Sequence, residues 1–240
     1  MFRYPERGSS SKQRQHPGSG KVQTLTLLLE VALLSVLTVG LSACSLYTVR
    51  PIQSGSTRQY NQFNQQFDPT SYVSSIWSSK VIPTIVTKSV DLATLLAALQ
   101  ANTAAAEKQY AAPSSDGSFN FMVKGQGTIT AVNTSSRVGT VTLHVPGVSS
   151  QTTLVLQIGP VISGTALRDS VGFINFTNFS NQVQYAEVSD QLNARAATML
   201  QAIPFATLKG QSITFYGAFT FLDLHFLSIV PVKVVSGGGQ

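Results

Sequence analysis

From Phe119 to Ala131 the sequence repeats with a period of two. Phe119, Phe121, Val123, Gly125, Gly127, Ile129 and Ala131 alternate with Asn120, Lys124, Gln126, Thr128 and Thr130. Side chains in a strand point to opposite faces in turn, so this pattern predicts one long, half-buried strand. A strand of that length commits the chain to a sheet whose edges have to be paired or covered. Gly125 and Gly127 predict a bend, or a place where another element packs closely.

The downstream sequence supplies the partners. Val141, Leu143 and Val145 alternate with Thr140, Thr142 and His144. Beyond Pro146-Gly147 a third strand carries Leu154, Leu156 and Ile158 inward. Residues Gly159 to Gln182 lack strand alternation and are rich in Gly, Asn and Phe. A helix is predicted from about Ala186 to Ala202, with Val188, Leu192, Ala196, Met199 and Ile203 on its apolar face and Pro204 at its end. Two further strands follow, one with Ile213, Phe215, Gly217 and Phe219 inward, the other with Val230, Val232 and Val234. Pro231 lacks a backbone N–H, which favours an edge position for the last strand. Three strands, a connection containing a helix, then two strands is the order of a five-stranded OB-like β-barrel, with an open sandwich as the alternative.

Ahead of the strands lies helical sequence. Asp68-Pro69 has the form of a helix start, N-cap followed by proline at the first position, and Tyr72, Val73, Ile76 and Trp77 follow at helical spacing. Pro83 predicts a second short helix or a turn. A longer helix is expected from Asp91 to Tyr110, with Leu92, Leu95, Leu96, Leu99, Thr103, Ala106 and Tyr110 on one stripe. The class is therefore α+β: a small helical subdomain over residues 67–112 and the barrel over residues 113–236, beginning with the turn PSSDG and ending before a short tail at 237–240.

The N-terminus addresses the chain to the cell envelope. Arg3, Arg7, Lys12, Arg14 and Lys21 precede an apolar run from Val22 to Gly40, interrupted once by Glu30. Leu41-Ser42-Ala43-Cys44 closes the run with small residues before a cysteine. A basic segment, an apolar segment and small residues at a cut make a secretory signal, here with the form of a bacterial lipobox. Residues 1–43 are expected to be removed and Cys44 to carry the lipid, and an uncleaved membrane helix is the rival reading. Each buried methylene of such an anchor contributes about 0.8 kcal/mol, so two or more acyl chains hold stably. Ser45 to Gln66 is polar and poor in aliphatics, a flexible tether over residues 44–66. Ser45 is not an aspartate, which in a two-membrane bacterium would remove the usual inner-membrane retention signal.

Cleavage would leave 197 residues with a net charge of about +3, against +6 for the whole chain. The basic pI belongs partly to the leader, and no basic block or aromatic platform suggests nucleic acid. Cys44 is the sole cysteine, so with it lipidated no disulfide can form and the core must be apolar packing alone.

Several long strings carry a resemblance. FDPTSYVSSIW from Phe67, VNTSSRVG from Val132, LQIGPVISGTALRD from Leu156, FINFTNFSNQVQYAEVSDQLNARA from Phe173 and FYGAF from Phe215 resemble a family of predicted periplasmic lipoproteins of unknown function, found in bacteria beside sugar ABC-transport genes. The long polar N-terminus is the departure from that family. The resemblance implies an OB-like barrel with a helical subdomain and no enzymatic activity. It also implies, by gene neighbourhood, an accessory role with a sugar ABC transporter or its solute-binding protein.

Residue chemistry agrees with a protein that does not catalyse. His144 and His225 sit near no nucleophile motif, and no His/Asp/Glu cluster has metal-ligand spacing. No cofactor is implied. Trp77 reads as core rather than as a sugar platform. Gly159 to Gly164 (GPVISG) reads as a turn, since it lacks a Gly-Lys-Ser/Thr ending. Asn133, Asn175 and Asn178, which sit in glycosylation-like triplets, read as turn formers. The remaining candidates are charges in apolar surroundings. Arg195 follows Leu192 by three residues and precedes Met199 by four, which predicts a buried guanidinium paired with Asp169. Arg168, Asn175 and Asn178 are then expected to line a cleft that binds a polar ligand or partner. The competing reading is a structural or assembly lipoprotein with no small-molecule ligand.

Overall fold

The computed structural model describes residues 67–112 and 117–237. The leader, Cys44 and the tether lie outside the described residues, as do most of the PSSDG turn and the last three residues. The first helix, α1 (Pro69–Ile76), starts as its sequence predicts. Asp68 is its N-cap, with a side-chain oxygen accepting from the Thr70 N–H, and proline stands at the first position. A π-helical turn (Trp77–Val81) joins it to α2 (Ile82–Lys88), and Trp77 and Val81 are buried there. Trp77 is core, as expected, not an exposed platform.

The stripe from Asp91 to Tyr110 forms two helices rather than one. They are α3 (Leu92–Ala101) and α4 (Thr103–Tyr110). Asn102 breaks them apart: its backbone is extended and its side chain caps α4 by accepting from the Ala105 N–H. Asparagine competes for nearby backbone groups, so it ends one helix and starts the next although the apolar period runs through it. Asp91 caps α3 in the same way and belongs to a two-residue strand, β1 (Val90–Asp91).

Five longer strands follow: β2 (Phe119–Asn133), β3 (Thr140–His144), β4 (Thr153–Gln157), β5 (Ser212–Phe221) and β6 (Phe226–Ser236). The pairings run β2–β3–β4–β6–β5 and return to β2, a closed ring of five, with β1 added in parallel on β2. Every pairing in the ring is antiparallel except β4–β6. This is the α+β, OB-like arrangement that the order of elements predicts.

Strand β2 serves two neighbours, β5 along Phe119–Thr128 and β3 along Thr128–Asn133. The glycines make that switch possible. A Cβ on Gly125 would lie 2.7 Å from the Phe215 ring, and one on Gly127 would lie 2.7 Å from the His144 carbonyl oxygen. Phe121, Val123 and Ile129 of β2 and Ile213, Phe215 and Phe219 of β5 fill the interior. One hydrophobic cluster runs from these residues through Val73, Ile85, Leu95 and Leu192 of the helices, so helices and sheet share a core.

Pro231 departs from expectation. Strand β6 lies between β4 and β5 and is no edge. The missing N–H is accommodated at a register shift, where Pro231 faces Gly217 beside the irregularity between Tyr216 and Gly217. A bulge is the other place in a sheet that tolerates proline.

Between β4 and β5 the chain forms a short helix α5 (Ala166–Ser170), a 3₁₀ turn (Phe176–Asn178) and the long helix α6 (Gln182–Gln201). Helix α5 packs on β5 and β2, and α6 packs on α1 and β6. Asn181 caps α6, its side chain accepting from the Val183 and Gln184 N–H groups, which places the helix start four residues before Ala186.

Candidate functional site

The connection that leaves β4 is held by buried polar groups. The Gln157 side chain accepts from the Ser163 N–H at 2.8 Å and donates to the Ser163 carbonyl and to Ser228 Oγ. Gly159 and Gly164 have φ of +83° and +92°, the region that favours glycine. The Gly164 carbonyl accepts from Ser189 Oγ at 3.2 Å and Asn193 Nδ2 at 2.8 Å, both on α6. The GPVISG stretch is thus a stapled turn. Asn193 Oδ1 and the buried Ser170 Oγ have no partner among the described residues.

Next in the chain come Arg168 and Asp169, both buried on α5. Arg168 Nε donates to Asp169 Oδ1 at 2.7 Å and a terminal nitrogen donates to Oδ2 at 3.0 Å, a bidentate pair between neighbours in sequence. The guanidinium carbon lies 3.6 Å from the centre of the Tyr185 ring, and its other terminal nitrogen donates to the Tyr185 carbonyl at 3.2 Å. The Tyr185 hydroxyl donates back to Asp169 Oδ1 at 3.0 Å. Burial and the neighbouring Asp169 carboxylate raise the Tyr185 hydroxyl above the usual tyrosine value, with Arg168 opposing them.

This knot corrects two expectations. Asp169 pairs with Arg168, not with Arg195, and Arg195 is exposed. At that level of α6 the buried face is Leu192, Asn193, Ala196, Ala197 and Leu200, so the helix turns its Asn193 flank inward and leaves Arg195 on the opposite flank. Arg168 in turn does not open into a cleft with Asn175 and Asn178. Those two exposed asparagines bond to each other, Asn175 N–H donating to Asn178 Oδ1 at 2.9 Å in a reciprocal capping box. Their reading as turn formers stands, and so does that of Asn133, which accepts from the Ser135 N–H.

Outside the knot lies an aromatic chain. Phe67 contacts Tyr72 and Phe179, Phe179 contacts Tyr72 and Tyr185, and Tyr185 contacts Phe176, with ring centres 5.4–5.7 Å apart. Phe176 is 44% exposed at its outer end. The sequence reading missed this cluster because its members are spaced irregularly over three elements. The run of Phe173, Phe176 and Phe179 was its visible signal.

Several grooves among the described residues carry polar side chains. One of about 190 Å³ lies between α1 and α6, where Thr70 and Ser74 face Gln191, Arg195 and Thr198. A broader one of about 400 Å³ lies beside β2, lined by Asp91, Gln126, Thr128, Pro146 and Ser212. His144 and His225 are exposed, and no group of three metal-ligating residues exists among the described residues.

A five-strand ring with one parallel closure, and helices packed on it, define an α+β protein of OB-like fold. The solved structure of an OB-fold protein from Thermotoga maritima is similar, with a TM-score of 0.57 and 16% identity, covering 71% of this chain and 98% of that one. The family model described as predicted periplasmic lipoprotein (DUF2291) matches residues 34–235, and the chain belongs to that family. Its place is therefore extracytoplasmic and lipid-anchored. Among curated proteins none matches the chain.

Proposed function

We propose that this lipoprotein works by binding rather than catalysis, as an accessory of a sugar ABC transporter, and that the α1–α6 groove is its binding surface. The observation that carries this reading is the contrast between the two arginines. Arg168 spends its donors inside the fold, whereas Arg195 stands at an open groove beside the Thr70, Ser74, Gln191 and Thr198 side chains. Guanidinium, amide and hydroxyl groups together are the chemistry that hydrogen-bonds sugar hydroxyls or a carboxylate. The transporter link rests on the family resemblance described above.

The test is a thermal-melting and calorimetric titration with pentoses and hexoses, repeated with the Arg195→Ala protein. A ligand at one hundred times its Kd stabilises the folded state by about 2.7 kcal/mol, a readable melting shift. Pull-down of a permease or solute-binding protein from native membranes addresses the version in which the ligand is a protein. A structural or assembly role is the second reading, favoured by the exposed apolar side chains of Phe176, the outer member of the aromatic chain, and Val183.

A further inference from the structure

The most exposed large apolar side chain among the described residues is Leu222, 83% accessible, and Phe226 close by is 51% accessible. They flank the turn between β5 and β6, and Phe119, paired with Phe221 across the β2–β5 ladder, adds a third exposed ring at the same end of the sheet. The turn is not a loose loop. Asp223 Oδ1 accepts from the His225 and Phe226 N–H groups at 2.6 and 3.1 Å. Thr152 Oγ1 donates to the Leu224 carbonyl, and the Thr153 N–H donates to the His225 carbonyl. Leu222 and Phe226 thus stand outward on a hydrogen-bonded tip, with the Phe226 backbone also fixed opposite Thr153 at the start of β6.

We infer that this tip inserts Leu222 and Phe226 into the apolar boundary of the bilayer that holds the lipid anchor, and so sets which face of the domain points away from the membrane. The tether argues for the bilayer as occupant. Between Cys44 and Phe67 lie 22 residues, a chain length that can reach at most about 75 Å. A domain of this size is roughly 30–40 Å across, so the anchored bilayer is within reach of every face. Area argues the same way. A Leu and a Phe present on the order of 400 Å² at most, well below the roughly 800 Å² that each side of a stable protein interface buries. A bilayer needs no complementary surface. Charge fixes the type of contact: from Phe221 to Phe226 the ionisable residues are Asp223 and His225, so insertion is apolar and needs no anionic lipid.

The experiment uses the processed, lipidated protein in vesicles of pure phosphatidylcholine. Leu222→Cys carries an environment-sensitive fluorophore, and wild type taken through the same labelling reaction is the blank that reports any free Cys44 thiol. The control is Lys209→Cys, just before the other end of β5 and about 30 Å away along the strand. Spin-labelled lipid is expected to quench the probe at 222 at least threefold more than at 209, with a blue-shifted emission at 222. Adding Phe226→Ser should lower that quenching at least twofold while the melting curve stays unchanged. Equal quenching at 222 and 209 would overturn the proposal. So would a probe buried only in native membranes, which would assign the tip to a protein partner. If labelled Leu222→Cys fails to melt like wild type, Phe226→Cys replaces it with the same expectations.

Discussion

The guanidinium carbon of Arg168 lies over the ring of Tyr185, 3.6 Å from its centre, while the guanidinium holds the carboxylate of Asp169 with two hydrogen bonds. All three groups satisfy one another, so the knot joins α5 to the first turn of α6. Removing one partner strands a buried charge. Arg168→Ala and Asp169→Ala should each cost about 3–5 kcal/mol, read as a fall in the urea midpoint. Arg168→Lys should recover only part, because an ammonium cannot bind the carboxylate bidentately and stack at once. A midpoint unchanged in Arg168→Ala would refute the knot.

Tyr185 gives the knot a pH signature. Its hydroxyl is raised above the ordinary value near 10, first by burial and then by Asp169. The folded state therefore holds this proton longer than the unfolded chain does. The associated stability is complete below the ordinary tyrosine value and disappears as pH rises through the folded one. Tyr185→Phe should lower stability at pH 7 by about 1.5–3 kcal/mol, since it deletes a hydrogen bond to a charged group. It should also flatten the decline above pH 10, measured as urea midpoint against pH. A decline as steep as that of wild type would exclude Tyr185 as its source.

The register of β5 predicts a sharp contrast between neighbours. Phe215 is fully buried and Thr214 faces outward, half-exposed. Phe215→Asp should abolish folding, because an unpaired interior carboxylate costs several kcal/mol or must take up a proton. Thr214→Asp should be mild. Gly125→Ala tests the same packing from β2: its new methyl meets the Phe215 ring at 2.7 Å, and about 1–3 kcal/mol of overpacking should result. Equal circular-dichroism and melting behaviour for Phe215→Asp and Thr214→Asp would contradict this register.

The anchor is tested by metabolic labelling with a fatty-acid probe. Wild type should be acylated and sediment with membranes. Cys44→Ala should lose the label and appear as soluble protein or unprocessed precursor. Labelling that survives the substitution would place the lipid elsewhere.

Much of this fold was legible because the sheet announces itself by period. The alternation from Phe121 to Ile129, and around Phe215 and Leu154, marked the strands and their inward faces, and their order suggested the closed ring. At the ends of β2 it failed, since Asn120 is buried, Phe119 is exposed, and the register shift between Ile129 and Ala131 turns Ala131 outward. What stayed hidden depends on contacts between distant elements. The break at Asn102 is invisible to a hydrophobic stripe that continues across it. Pro231 reads as an edge residue until its partner, Gly217, is known to sit beside a bulge. Position 195 looks apolar from its spacing to Leu192 and Met199, yet the helix buries its other flank through Asn193 and Ala197. The sequence placed Asp169 near α6, where Tyr185 does hold it. The arginine that binds it was its own neighbour, and separation along the chain carried no sign of that.

Binding through the α1–α6 groove is the central functional claim, and Arg195 is the charged residue in its lining. Because Arg195 lies at the surface without an ion pair among the described residues, Arg195→Ala should change stability by less than about 0.5 kcal/mol. Its effect should fall on binding alone. The direct measurement is isothermal titration of pentoses and hexoses into wild-type and Arg195→Ala protein of equal melting temperature. A saturable heat with at least one sugar, weakened tenfold or more by Arg195→Ala, is the predicted result. No heat with any sugar, or an affinity that Arg195→Ala leaves untouched, would contradict it.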